Sequence, residues 1–185
     1  MKIILLLIFY SMLLSEDNYK EPQYTVISKS SNIELRLYDE YIVAKTSINK
    51  GKAEEDNNMF RTLASYIFGG NTKNESIPMT APVTTFDDGD SYNMVFYMLN
   101  VNDSNDLPKP NNDNVNLETF TLGKCAVLEF SWFTTASRVK AFKTELSNYL
   151  NENNLKAISP FMVNRYDPPW KLPFMRRNEI LVKIQ

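Results

Sequence analysis

Two halves of this chain read as the same succession of elements, and that repeat limits the fold more than any single motif. In the first half, Tyr24 to Lys29 and Ile33 to Tyr38 form a hairpin pattern, and Tyr41 to Ile48 continues the sheet. Ile33, Leu35 and Leu37 alternate with Glu34, Arg36 and Tyr38, the period of a half-buried strand. Gly51 to Phe68 reads as a helix. Glu54, Glu55 and Asp56 complement its dipole at the start. Phe60, Leu63, Ala64, Ile67 and Phe68 recur on one apolar face, which Met59 and Tyr66 broaden. Gly69-Gly70 can end it in the left-handed conformation. Ser76 to Phe86 and Tyr92 to Leu99 follow as strands around the Asp87-Asp88-Gly89-Asp90 turn. Pro78 and Pro82 restrict the first of them to an edge or a bulge.

The second half repeats this order. Val115 to Leu122 and Cys125 to Phe133 read as two strands about a Gly123-Lys124 turn. Thr134 or Thr135 caps a helix running to Asn153, whose stripe is Val139, Phe142, Leu146, Tyr149 and Leu150. Ile158 to Tyr166 and Glu179 to Ile184 close the sheet. Between the halves, Asn100 to Asn114 is polar, carries Pro108 and Pro110, and reads as a mobile loop. The repeat is one of topology, not of letters. It predicts a pseudo-twofold α+β barrel or a pair of packed sheets.

What the chain lacks removes much familiar chemistry. There is no histidine, so Ser-His and Cys-His nucleophile pairs, most zinc sites and a histidine ligand to heme iron are all excluded. The single cysteine, Cys125, permits neither an intrachain disulfide nor a cysteine metal cluster. None of the five glycines falls in a GxGxxG or P-loop pattern. With 185 residues the chain suits one domain with a real core. Its net charge of −2 gives no general drive toward nucleic acid or anionic lipid.

Met1 to Ser15 reads as a secretory signal peptide. Lys2 is basic, Ile3 to Leu14 is almost wholly apolar and short for a bilayer span, and Ser15 is small, although Leu13 suits a cleavage site poorly. An uncleaved anchor is the other reading. The expected domain is a single one over residues 20–185, in a secreted or secretory-lumen protein. Asn74-Glu75-Ser76 and Asn102-Asp103-Ser104 are glycosylation sequons in polar stretches, consistent with a glycoprotein.

Tyr166 to Glu179 is the most unusual stretch. Pro168, Pro169 and Pro173 fix φ and remove donors, so it is neither helix nor central strand. The prolines hold Trp170, Leu172, Phe174 and Met175 around Lys171, and Arg176-Arg177 precede the last strand. A rigid loop presenting aromatics and a cation suits a flat, anionic, apolar ligand. A stiff crossover tucking aromatics into the core is the other reading.

With these pieces placed, the chain resembles the SOUL heme-binding protein family. The resemblance is carried by Tyr24-Thr25-Val26-Ile27 with Ile33-Glu34-Leu35-Arg36, by Phe60 to Gly70, and by Ile77-Pro78-Met79-Thr80-Ala81-Pro82-Val83. Trp132-Phe133 and Arg165-Tyr166-Asp167-Pro168-Pro169 with Arg176-Arg177-Asn178-Glu179 complete it. It implies an α+β fold, a distorted β-barrel of two pseudo-symmetric βαββ halves flanked by two helices. It also implies reversible binding of heme or related tetrapyrroles. By position, Met59, Leu63, Tyr66 and Ile67 would face the macrocycle, while Lys171 and Arg61 would meet the propionates. Another basic position of the family is acidic or Asn here, near Asp56 to Asn58.

Without histidine, iron ligation would fall to Tyr, Met, Cys or water, with Tyr66 the first candidate. Cys125 reads as a small buried hydrophobe, and Met79, Met94, Met98, Met162 and Met175 as core filler. Arg176-Arg177 read as structural partners of Asp167 or Glu179. Two functions remain: a secreted tetrapyrrole-binding protein, or the same fold serving as a protein-interaction or other apolar-ligand module. Neither involves nucleic acid or a stable membrane span after signal cleavage. An enzymatic reading, such as tetrapyrrole breakdown or metal removal, comes third, because no acid-base pair stands at recognisable spacing, and the chain is read as no enzyme.

Overall fold

The computed structural model describes residues 19–49 and 56–185. The expected signal segment Met1–Ser15 lies outside them, as do Glu54 and Glu55. The elements are β1 (Tyr24–Ser30), β2 (Ile33–Asn49), α1 (Asp56–Ile67), β3 (Val83–Asp87) and β4 (Ser91–Tyr97). There follow β5 (Asn116–Phe130), α2 (Ala136–Glu152), β6 (Met162–Arg165) and β7 (Asn178–Lys183).

The long strands β2 and β5 pair antiparallel in one unbroken register, from Ile33↔Leu128 to Lys45↔Asn116. β4 joins the second half of β2 and β7 the second half of β5. β3 lies beside β4, β6 lies beside β7, and the β3–β6 pair completes the ring. The result is a closed six-stranded antiparallel barrel, β2-β4-β3-β6-β7-β5, with β1 as an additional strand on the first half of β2. One pseudo-twofold exchanges β2 with β5, α1 with α2, β3 with β6 and β4 with β7. This is the expected architecture of two halves flanked by two helices. Each helix is also followed by a left-handed residue, Gly69 (φ 103°) after α1 and Asn154 (φ 54°) after α2.

Several expectations need correction. Gly123 does not make a hairpin turn. It takes φ 62° inside a continuous β5, because β2 offers an unbroken partner past it. Glycine here supplies a bend, not a reversal. Of the expected strand Ser76 to Phe86, only the part from Val83 pairs as a strand, because the preceding prolines remove ladder donors. The stretch Asn100 to Asn114 is anchored, not free. Leu107 and Pro108 are buried, a 3-10 turn forms at Ser104–Asp106, and the Pro108 carbonyl accepts the Tyr66 hydroxyl at 3.0 Å.

Three apolar clusters hold the molecule together. α1 packs on the outside of the barrel, its Met59, Leu63, Tyr66 and Ile67 against Ile42, Ala44, Met94, Phe96 and Met98. α2 covers the opposite half through Leu146 and Leu150 against Ala126, Leu128, Val163 and Ile180. The interior of the barrel is filled by Tyr38, Val43, Val95, Tyr97, Leu122, Cys125, Val127, Met162 and Leu181. A small barrel packed in this way leaves no chamber for a ligand.

One polar network is threaded through that interior. The buried Arg36 guanidinium bonds Glu179 at 2.8 Å and the Tyr38 hydroxyl at 3.0 Å. The other Glu179 oxygen accepts from Tyr166 at 2.6 Å and from Asn164 at 3.2 Å, and Thr84 donates to Asn164 at 2.7 Å. Burial alone would lower the Arg36 pKa, but the Glu179 charge overrides it and holds the guanidinium above its ordinary value. A buried charge pair of this kind is satisfied only as a unit.

Candidate functional site

Ligand contact must come from the outside of this barrel, and two places were expected to supply it. The first, the broad face of α1, is closed. Met59, Leu63, Tyr66 and Ile67 are all buried in the contact between helix and barrel. The reason is local: the stripe that reads as a ligand platform is the same stripe the helix needs to dock on β2 and β4. Tyr66 is a core residue with a satisfied hydroxyl, and burial pushes its phenol pKa up to about 12 from an ordinary 10.0. Arg61 lies on the exposed side of α1, away from that stripe. Phe60 is partly exposed with its edge on Phe96, ring centres 5.3 Å apart, and Phe68 is 70% exposed just past the helix.

The second place is the loop from Tyr166 to Arg177, between β6 and β7. Its pseudo-symmetric counterpart is the tight turn between β3 and β4, so here the two halves differ most. Asp167 organises the loop. One carboxylate oxygen takes the Lys171 ammonium and the other the Arg177 amide. Arg176 donates to the carbonyls of Lys171 and Pro169, and its guanidinium lies over the Phe133 ring, 5.1 Å from the centroid. Arg177 pairs with Glu21 and stacks on Tyr166 at 3.5 Å. The double arginine is therefore structural, as expected, though Glu179 is held by Arg36 instead. Lys171 is half-buried and ion-paired to Asp167.

What the loop leaves open is apolar. Trp170 is 76% exposed and Phe174 58%, with Leu172 and Met175 beside them. Met175 is thus a surface residue, not core filler. The segment before α2 joins this surface. The Trp132 amide donates to the Pro173 carbonyl at 2.9 Å, and its own carbonyl accepts from Asn178 at 2.9 Å, with Trp132 and Phe133 both half-exposed. Trp132 takes φ 78°, a costly conformation for a bulky residue, held by these two bonds. The sequence reading placed Trp132-Phe133 in a motif but not in the site. Only the pairing across to Pro173 and Asn178 brings them there.

Elsewhere, an open groove of about 560 Å³ runs along α2, lined by Lys140, Lys143, Ser147 and Phe161 among others. Burial lowers the Lys143 pKa, and the Asp87 charge opposes that shift. Phe161 is the one ring in its lining, so it offers no aromatic wall. Among the described residues no cluster of carboxylates or thiols has metal-binding geometry, and no helix is long and apolar enough to cross a membrane.

These features define a filled α+β barrel that presents an apolar contact surface on its loops. The chain belongs to the SOUL heme-binding protein family, whose model matches residues 19–183. No curated protein matches the chain. Among solved structures, it is similar to an uncharacterized conserved protein from Listeria innocua, at 11% identity and TM-score 0.64, over 85% of this chain and 94% of that one. A structure named as a hydrolase from the same organism aligns at 12% identity and TM-score 0.57, over 86% and 94%. The EcmrR C-terminal domain aligns at 13% identity and TM-score 0.61, over 88% and 98%. At such identities the likeness is one of fold alone.

Proposed function

We propose that this chain is a secreted, non-enzymatic binding protein for heme or a related tetrapyrrole, folded as one domain over residues 20–185. Family membership supports the ligand class. The observation that carries the site is the exposed wall of Trp170, Leu172, Phe174 and Met175 beside Trp132 and Phe133. A porphyrin is a large apolar plate with carboxylates on one edge. Aromatic faces can cover the plate, and cations at the rim can meet the carboxylates. Arg176, besides holding the loop, bonds carbonyls and lies over Phe133 without a carboxylate partner among the described residues, so its charge is not neutralised at that rim. Lys171 would act there by sharing its ammonium between Asp167 and a propionate.

The residues fit the plate better than the iron. Tyr66 is buried and bonded to Pro108, and burial pushes the Cys125 thiol pKa up to about 12. Met175 places a thioether in the wall. We therefore read the binding as stacking and charge, with iron ligation secondary. Hemin and metal-free protoporphyrin, titrated side by side and followed by Soret absorbance and tryptophan quenching, should bind within a few-fold of each other. Trp170→Ala with Phe174→Ala should weaken both at least about tenfold, the loss from uncovering more than ~1.4 kcal/mol of ring burial. No spectral change at micromolar ligand overturns the proposal.

A second reading keeps the fold and replaces the ligand with a protein or another apolar molecule. The observation in its favour is the closed face of α1, which leaves the family's helix platform unavailable. Secretion is supported by the Lys2 to Ser15 pattern and by the exposure of Asn74 and Asn102. Expression in a secreting eukaryotic cell, with glycosidase treatment of the medium, tests it: a cleaved chain that loses glycan mass is expected.

A further inference from the structure

We infer that the cap formed by Trp132, Phe133, Trp170, Leu172, Phe174 and Met175 docks on the surface of an anionic lipid bilayer. It shares this wall with the tetrapyrrole reading but stands on the wall's own chemistry. Both tryptophans of the chain are here, and both are exposed. Tryptophan favours the boundary between hydrocarbon and water, where its apolar body and its N–H are both accommodated.

The backbone beneath them has fewer open donors than an ordinary exposed loop. Apolar solvent penalises any main-chain donor left open. In this loop Pro168, Pro169 and Pro173 have no donor to leave open. The amides of Lys171, Met175 and Arg176 bond to Pro168, Leu172 and Pro173 within the loop, and Tyr166 and Arg177 bond at its base. Trp132 is fixed by its two bonds to Pro173 and Asn178 despite its strained φ. The apolar tips are thus presented by a loop whose prolines and internal bonds reduce, but do not abolish, the open main-chain donors, the amides of Trp170, Leu172 and Phe174 being outside this set of bonds.

Charge selects the kind of surface. Around the cap, Lys171 and Arg177 are neutralised by Asp167 and Glu21. Among the described residues Arg176 and Arg138 meet carbonyls and aromatic rings but no carboxylate, Arg138 bonding the carbonyls of Ser131 and Phe133 and lying over Phe142. Of these four cations at the rim two face a carboxylate and two do not, a local positive excess in a chain whose net charge is −2. Anionic headgroups are complementary to that rim, with aromatic tips below it. The whole-chain charge hides this local sign.

The test uses the full mature chain with vesicles free of tetrapyrrole. Because Trp132 and Trp170 are the chain's only tryptophans, intrinsic fluorescence reports on the cap alone. Vesicles of phosphatidylcholine with about 30% phosphatidylserine should blue-shift the emission and co-sediment the protein, less so as salt is raised. Trp170→Ala with Phe174→Ser, checked for native far-UV circular dichroism, should lower partitioning at least about tenfold. No co-sedimentation with anionic vesicles at low salt overturns the inference, as does undiminished binding by the folded double variant. Hemin titration in lipid-free buffer is read separately, so failure of either reading leaves the other decided on its own data. A cap that serves a protein partner instead gives the no-vesicle-binding result.

Discussion

Glu179 is the residue on which most of the buried polar chemistry converges. It neutralises Arg36 and accepts from Tyr166 and Asn164 in the barrel interior. Glu179→Gln removes the charge but keeps the shape, leaving the buried Arg36 with Glu34, at 2.8 Å from its Nε, as its remaining carboxylate partner. Loss of one partner of a buried pair costs about 3–5 kcal/mol when the other charge is left alone; with Glu34 still on Arg36, urea unfolding should show a loss of about 2–4 kcal/mol at unchanged m-value. A loss under about 1 kcal/mol would mean that Glu34 and water together suffice for Arg36. The tyrosines add a pH dependence. Burial raises the folded-state pKa of Tyr38, Tyr97 and Tyr166, with the Glu179 charge adding to each, and burial raises Tyr66 to about 12. Protons bound more tightly in the folded state stabilise it fully below the unfolded tyrosine pKa near 10 and progressively less above it. The urea midpoint should therefore hold up to about pH 9.5 and fall steeply between pH 10 and 12. Tyr66→Phe should shave one component from that fall and cost about 1 kcal/mol at neutral pH through its bond to Pro108. The Lys171 ion pair was not legible from spacing: Asp167 lies four positions earlier, but in a proline loop that spacing gives no helical reason to pair.

At the scale of elements, α1 and the loop from Tyr166 to Arg177 divide the work the sequence reading assigned jointly to them. The apolar periodicity of α1 was legible, but which side of that face would be covered was not, because a platform for a ligand and a seat on a barrel use the same spacing. Leu63 makes the difference measurable. It is fully buried against the barrel, so Leu63→Ala should cost about 2–5 kcal/mol in unfolding experiments. Tetrapyrrole affinity of the folded fraction should stay within a few-fold of the parent. A selective loss of affinity with little loss of stability would return the ligand to α1. The loop was legible for the opposite reason: prolines exclude helix and ladder, so its aromatics had nowhere regular to go. At Gly123 a glycine between apolar runs signals a turn, whereas the unbroken register with β2 makes it a bend. Trp132 and Phe133 were missed as site residues because their place depends on pairing with Pro173 and Asn178, far away in sequence.

For the molecule as a whole, the repeated element order carried the barrel, since two equal halves can bury both sets of apolar faces by closing on each other. The order does not say where closure is strongest; the register does. Val43, Ala44 and Lys45 pair on both sides, with β4 and with β5. Cys125 to Leu128 likewise pair with β2 and with β7. These segments can open only when the ring breaks, so their amides should exchange with solvent at the rate of global unfolding. β1 is different. Every residue from Tyr24 to Ser30 is exposed, and it is held on one side only, with Tyr24 covering Arg36 at 4.1 Å. Native-state hydrogen exchange should show the β1 amides bonded to β2 exchanging well before those of Val43–Lys45 and Cys125–Leu128. Glu179 lies in β7 within the ring, whereas β1 is held only by β2, so Glu179→Gln should accelerate exchange in the ring far more than in β1. Equal protection in β1 and β5 would show instead that the edge strand opens only with the barrel, and that the seven strands form one cooperative unit.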